Sequence, residues 1–295
     1  MNKNRITAVL LAVFIVTMFF SCKNIRKKPT TAITFDTIVV ARQIPLLQND
    51  STLPYADVDF KFIYPVKFGT PEDLARLQQI FVGTFFTDTQ YDTLSPQEAV
   101  DKYLEKYIAS YRALSSDYYS DKSRLPEGET PVWYYYQLNI SNKILFQNDS
   151  LLSYAVEYSD YTGGAHGSYR IVYYNIDLND LVTISEEDLF IPGYYKSLTD
   201  IILRSLMKKY NVTAPDSLLT KGFFTIEDIV PNNNFWMDNK GLHYTYNQYE
   251  IAPYSMGPID VTIPYEDLKP ILKPNNIIER FFPNKENKKS ERDPI

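Results

Sequence analysis

The sequence predicts an α+β fold, with antiparallel sheets carrying helices on one face and two coupled modules in one chain. Three observations lead there. Strands and helices come in runs, without the βαβ alternation that a parallel sheet demands. Two helices announce their starts with capping boxes at Thr70 and Ser95. Long Tyr-rich stretches separated by short polar turns fill the middle of the chain. Composition agrees: 44% of the 295 residues are hydrophobic and 22% charged, with only 10 Gly, enough to bury a core without disulfides.

Residues 31–40 alternate β-branched and polar side chains, as an extended arm or first strand does. Residues 58–66 alternate well enough for a strand with one wet face. Thr70-Pro71-Glu72-Asp73 then opens a helix with Pro at its first position, and Leu74, Leu77, Phe81 and Phe85 share one side. Ser95-Pro96-Gln97-Glu98 repeats the device, and Val100, Tyr103, Leu104, Tyr107, Ile108, Tyr111 and Leu114 keep helical spacing after it. Residues 132–146 and 151–161 read as two long strands around a hairpin loop at Gln147-Asn148-Asp149-Ser150. A strand at 168–178 turns at Asn179-Asp180. A short capped helix follows at Ser185 and a longer one at 197–210. Two short strands flank Asn239-Lys240-Gly241, then come a strand at 258–264 and a helix at 265–272. No internal repeat is evident. The charged stretch 284–295 has almost no apolar residues, and disorder is expected there.

The first residues read as an address. Lys3 and Arg5 precede an apolar or small run, Ile6 to Phe20, which ends at Ser21-Cys22. As a helix that run rises only ~22 Å, short of a ~30 Å bilayer core, so residues 1–21 are expected to be a signal peptide. The chain's single cysteine, Cys22, follows Ser21 directly, which resembles the lipobox of bacterial lipoproteins. Cys22 is therefore expected to carry the lipid anchor, with residues 22–30 as a basic tether and the protein held at a cell envelope, at the outer membrane on its periplasmic or outer face.

Charge and composition exclude several classes. Thirty basic against thirty-six acidic side chains give a net charge of −6, which argues against nucleic acid as a partner. With one Cys and two His, no disulfide framework, metal site or cofactor is expected. Five Asp-Ser/Thr triplets, at Thr37, Ser51, Thr93, Ser150 and Ser217, resemble an O-glycosylation sequon of exported bacterial proteins. Asp-Ser and Asp-Thr are also ordinary turn and cap pairs.

Two stretches carry the functional information, and both histidines lie in them. The first is Tyr161-Thr162-Gly163-Gly164-Ala165-His166-Gly167, whose glycines permit positive φ and expose backbone amides. It also reads simply as a wide turn between strands. The second runs from Gly241 to Gly257, with rings alternating with polar groups before an irregular Pro/Gly segment. These motifs, with Asp188-Leu189-Phe190 between them and Tyr249-Glu250-Ile251-Ala252-Pro253-Tyr254 at the end, resemble the extracellular lysozyme-receptor domain of the anti-sigma factor RsiV and its lipoprotein relatives. The region before it is similar to the accessory domain beside the catalytic domain of the peptidoglycan deacetylase PdaC. The resemblance implies a PdaC-like module over 31–160 and an RsiV-like module over 161–283. Only Met1 to Arg5 precede the apolar run, and the deacetylase's Asp/His metal site has no counterpart, so neither anti-sigma signalling nor that catalysis is expected.

The expected function is a non-catalytic binding module for cell-wall glycan or a lysozyme-type muramidase. Gly163, Gly164, His166, Tyr246, Tyr249, Glu250, Pro253 and Tyr254 are its expected contacts, since tyrosine offers a flat apolar face and a hydroxyl. Three alternatives stay open. His166 and Glu250 would lock the two loops together without binding anything. An enzyme would use His166 as base and Glu250 as its orienting carboxylate, with Ser168 or a metal on His166, His243 and Glu250 as further variants. A docking lipoprotein would present an aromatic patch to a protein partner.

Overall fold

The structure, a computed structural model, describes residues 32–48, 50–274 and 276–282. The expected signal peptide, Cys22, the basic tether and the expected disordered tail lie outside those residues. Among the described residues no helix is long and apolar enough to cross a membrane.

The fold is α+β. A six-stranded sheet runs in the order β1 (Thr34–Leu47), β2 (Asp50–Lys67), β3 (Tyr136–Gln147), β4 (Leu151–Tyr161), β5 (Ser168–Asp177) and β6 (Val182–Thr183). Every neighbouring pair is antiparallel except β2 with β3, which run parallel from Ala56↔Tyr136 to Lys61↔Ser141. The sheet is thus mixed, not wholly antiparallel. The parallel pair exists because helices α1 (Pro71–Phe86), α2 (Pro96–Ala113) and α3 (Ser115–Lys122) carry the chain back across one face before β3 begins. Both predicted capping boxes form, Thr70 with Asp73 and Ser95 with Glu98, each with Pro at the first turn.

Helix α1 docks on β4 through rings. Phe81 stacks on Tyr154 with centroids 4.5 Å apart and planes 5° off parallel. The Tyr158 hydroxyl donates to the Phe85 carbonyl at the end of the same helix, and the Thr84 and Tyr154 hydroxyls pair. Phe81, Phe85, Phe62 and Tyr154 are all fully buried. Each such ring contributes on the order of 2–3 kcal/mol by leaving water.

Strand β4 is buried on both faces, and its alternation sorts the two cores. Leu152, Tyr154 and Val156 enter the core under the helices, while Leu151 enters a second core. That second core is built by α4 (Glu186–Leu189), α5 (Tyr195–Lys209), α6 (Tyr265–Leu268), α7 (Ile277–Phe281) and an antiparallel sheet β7 (Phe235–Met237), β8 (Gly241–Tyr246) and β9 (Ile259–Pro264). The large sheet continues past Tyr161 through β5 and β6, and the two cores part between Leu181 and Ile184.

Side-chain amides stitch the two sheets together. Beyond its short pairing with β6, β5 has no strand on its outer edge among the described residues, and asparagines cap that edge. Asn234 accepts from the Tyr173 amide at 3.0 Å and donates to the Ile171 carbonyl at 3.1 Å. Asn247 accepts from the Ile171 amide at 2.8 Å. Deeper in, buried Asn175 accepts from the Met237 amide at 2.9 Å and donates to the Phe235 carbonyl at 2.8 Å.

Some local expectations shift. Residues 132–134 form a 3₁₀ turn after Pro131, so β3 starts at Tyr136. The helix expected over 265–272 changes to a 3₁₀ turn at Lys269–Ile271, where Pro270 lacks an amide to donate. Ser150 is 3% exposed and its amide is held by Asn148, so as a glycosylation acceptor it is overturned by burial. Thr37 and Thr93 are exposed, Ser217 is half-buried, and the Ser51 side chain lies outside the described residues.

Candidate binding site

The turn after β4 and the segment after β8 meet. Gly163 has φ of +85°, and a Cβ there would sit 2.0 Å from the Trp133 carbonyl oxygen, so only glycine lets the loop lie on that backbone. A Cβ at Gly164 would make only an ordinary contact, 3.8 Å from the His166 carbonyl oxygen. The loop presents His166 to solvent. Across from it, Asn247 bonds to both the amide and the carbonyl of Ile171, which brings 246–257 alongside the start of β5. The chain then doubles back, with Tyr249 at φ of +67° and its amide donating to the Ala252 carbonyl at 3.1 Å.

Three rings come together there. His166 stacks on Tyr254 with centroids 4.3 Å apart and planes 26° off parallel. Its Nε2 is 3.2 Å from the Tyr249 hydroxyl, and its Nδ1 is 2.9 Å from the Gly167 carbonyl. Tyr249 and Tyr254 lie 6.0 Å apart, and Tyr249 is 55% exposed. The cluster is thus a solvent-facing aromatic surface held from two loops, with half-buried Pro253 next to it in the chain. Trp133, 40% exposed, adjoins it through its contact with Gly163 and was not among the expected residues.

Glu250 does not join His166. Its carboxylate accepts from Asn232 at 3.0 Å and from Asn247 at 3.4 Å. Those partners place it in a groove of about 370 Å³ along β5, whose polar walls include Arg170, Asn232, Asn233 and Ser185. Arg170 lies over the Tyr158 ring at 4.5 Å. The exposed Tyr249 ring is therefore followed directly in the chain by a carboxylate already oriented by two amides.

Tyr246 is corrected. It is 1% exposed, its hydroxyl donates to the Val230 carbonyl at 2.7 Å, and burial pushes its ionisation far up. Alternation along β8 sends Leu242, Tyr244 and Tyr246 into the second core, which leaves Tyr246 no surface to offer.

The catalytic variants lose their geometry. His166 has tyrosines rather than a carboxylate for partners, and the Ser168 hydroxyl is bonded to Asp160. His243 stacks on Trp236 at 4.0 Å, with Nε2 3.0 Å from Asp238 and Nδ1 3.0 Å from Thr262. Burial raises the Asp238 carboxyl, but hydrogen bonds from His243 and from the Lys240 and Gly241 amides outweigh it, and the group ends lowered. His166, His243 and Glu250 thus sit in separate settings. Among the described residues no three His, Cys, Asp or Glu gather as a metal site.

Comparisons with known proteins divide the chain as the two cores do. The family described as deacetylase PdaC matches residues 84–169, and the family described as a protein of unknown function, DUF3298, matches residues 187–266. The chain is 26% identical over 151 residues to a peptidoglycan-N-acetylmuramic acid deacetylase, PdaC, of Bacillus subtilis. That match takes in 50% of this chain and only 32% of the deacetylase. A crystal structure of a DUF3298 protein from Pseudomonas aeruginosa shares the fold, with TM-score 0.57 at 18% identity over 86% of this chain and 99% of that one. A crystal structure of a DUF3298 member from Bacteroides fragilis matches with TM-score 0.79 and 34% identity, over 85% of this chain and 98% of that one. The chain belongs to the DUF3298 family.

Proposed function

We propose that this chain is a cell-envelope lipoprotein, anchored at Cys22, that binds cell-wall glycan through the ring cluster of His166, Tyr249 and Tyr254. The observation that carries the reading is the cluster itself: three rings brought from two loops, His166 stacked on both tyrosines, with His166 and Tyr249 exposed and Tyr254 half-buried. An exposed stack with a 55% bare Tyr249 invites the apolar face of a sugar ring. The groove beside it supplies what the sugar's edge needs. Glu250 and the asparagine amides accept from and donate to hydroxyl and acetamido groups, and Arg170 adds a cation.

Similarity to a protein named for action on peptidoglycan supports the class of ligand. Binding is favoured over catalysis by His166 because Glu250, the carboxylate expected to orient it, is held by Asn232 and Asn247 instead. A muramidase of lysozyme type is the second reading, favoured by the resemblance of the two loops to a lysozyme-receptor domain. The test is equilibrium binding of the full chain, in mild detergent, to purified peptidoglycan fragments and separately to lysozyme. Saturable fragment binding that His166→Ala or Tyr254→Ala weakens at least tenfold, with the fold intact by circular dichroism, is the expected result. Binding to lysozyme alone makes the second reading correct, and binding to neither removes both.

A further inference from the structure

A second cavity lies entirely within residues 86–110, away from the two loops. Its volume is about 240 Å³, under the ~300 Å³ where drug-sized sites begin, so it has room for one ring rather than a chain. Helix α2 gives it Tyr103, Lys106, Tyr107 and Ser110, a run at i, i+3, i+4 and i+7 that shares one face. The α1–α2 connection adds Phe86, Asp88 and Tyr91.

The aromatic wall is already assembled. Phe86 and Tyr91 are buried at 5% and 1% exposure. Their rings lie 5.1 Å apart, and Tyr103 packs on both, at 5.3 Å and 6.0 Å. Asp88 is fixed at the rim, where its carboxylate caps the following turn through the Gln90 amide and meets Lys106 at 3.5 Å. Burial pushes the Tyr107 hydroxyl up to about 12, so it stays a neutral donor throughout the physiological range. The hydroxyls of Tyr91, Tyr103, Tyr107 and Ser110 have no hydrogen-bond partner among the described residues.

We propose that this cavity is a second ligand site, and that it takes a single pyranose sugar ring. The chemistry is specific to that class. A purely apolar ring would fill the wall but leave the hydroxyls without partners, a mismatch that selects against it. A small ion or a polyol without a ring would leave the aromatic wall wet. A pyranose supplies both an apolar face and a fringe of hydroxyls that donate and accept.

The test titrates the full chain with N-acetylglucosamine, N-acetylmuramic acid and glucose by calorimetry. Ser110 is exposed, so Ser110→Trp blocks the mouth without disturbing the core. Tyr107→Phe removes one hydroxyl and nothing else. The titrations are run in a Tyr254→Ala background, which silences the ring cluster, so this site can fail without the cluster and the cluster without it. In that background saturable binding of at least one sugar is expected, abolished by Ser110→Trp and weakened about fivefold by Tyr107→Phe. No binding of any of the three sugars, or binding that Ser110→Trp leaves intact, overturns the proposal.

Discussion

Replacing Asn175 with Ala tests how the two sheets are held together. Asn175 is 2% exposed, and its amide does the work of a strand neighbour. Its oxygen accepts from the Met237 amide at 2.9 Å and from Ser153 at 2.8 Å, and its nitrogen donates to the Phe235 carbonyl at 2.8 Å. Truncation leaves the Met237 amide buried without a partner, which costs about 1–3 kcal/mol, and removes further bonds worth about 1 kcal/mol each. Ser153 keeps its bond to the Met237 carbonyl, so it adds little. The expected loss is about 3 kcal/mol, read from urea unfolding. Tryptophan fluorescence follows it on both sides of the seam, because Trp133 borders the first core and Trp236 lies in the second sheet. In the variant the Trp236 transition should come first, isolated by a Trp133→Phe background. A loss under about 1 kcal/mol would refute the view that the asparagine seam couples the sheets.

Other perturbations separate the remaining claims. Glu186 is 3% exposed, and burial raises its carboxyl despite bonds from the Asn233 amide and the Tyr194 hydroxyl. A raised folded value means the wild type is best off below the unfolded Glu value, about 4.3, and loses that contribution as pH rises through the folded one. Glu186→Gln should therefore gain stability relative to wild type between pH 4 and pH 7, and equal pH slopes in urea midpoints would count against this. Gly163→Ala, at φ of +85° and against the Trp133 carbonyl, should cost about 1–3 kcal/mol and weaken glycan binding together with it; unchanged thermal unfolding contradicts the close approach. Cys22→Ser should abolish incorporation of labelled palmitate and move the protein from the membrane to the soluble fraction, whereas retained label would rule out a lipid at that residue.

What the sequence made legible was local. Thr70 with Asp73 and Ser95 with Glu98 sit within one turn of the helices they start, so their spacing states their role. The β3–β4 hairpin is equally local, closed at Asn148-Asp149-Ser150. Helix α3 carries no such signal, because Ser115–Lys122 has no apolar period and buries only Tyr118. The parallel pairing of β2 with β3 joins residues some eighty positions apart, and nothing in either strand names the other. Asparagines were the least readable residues. Asn142, Asn175, Asn234 and Asn247 look like turn formers, yet each stands in for backbone along a strand edge. At the site, the two loops and their rings were readable from glycine and tyrosine spacing. Which face of β8 turned inward was not, and that choice removed Tyr246, whereas Tyr249 and Tyr254 lie beyond the strand.

Having only two histidines gives a direct view of the central claim. With selectively labelled histidine, His166 reports from the ring cluster and His243 from its stack on Trp236 as an internal control. Titration with a peptidoglycan disaccharide, followed by imidazole nuclear magnetic resonance, should move the His166 signals saturably and leave those of His243 in place. Signals that stay fixed for both histidines, or that drift together without saturation, would contradict glycan binding at the cluster.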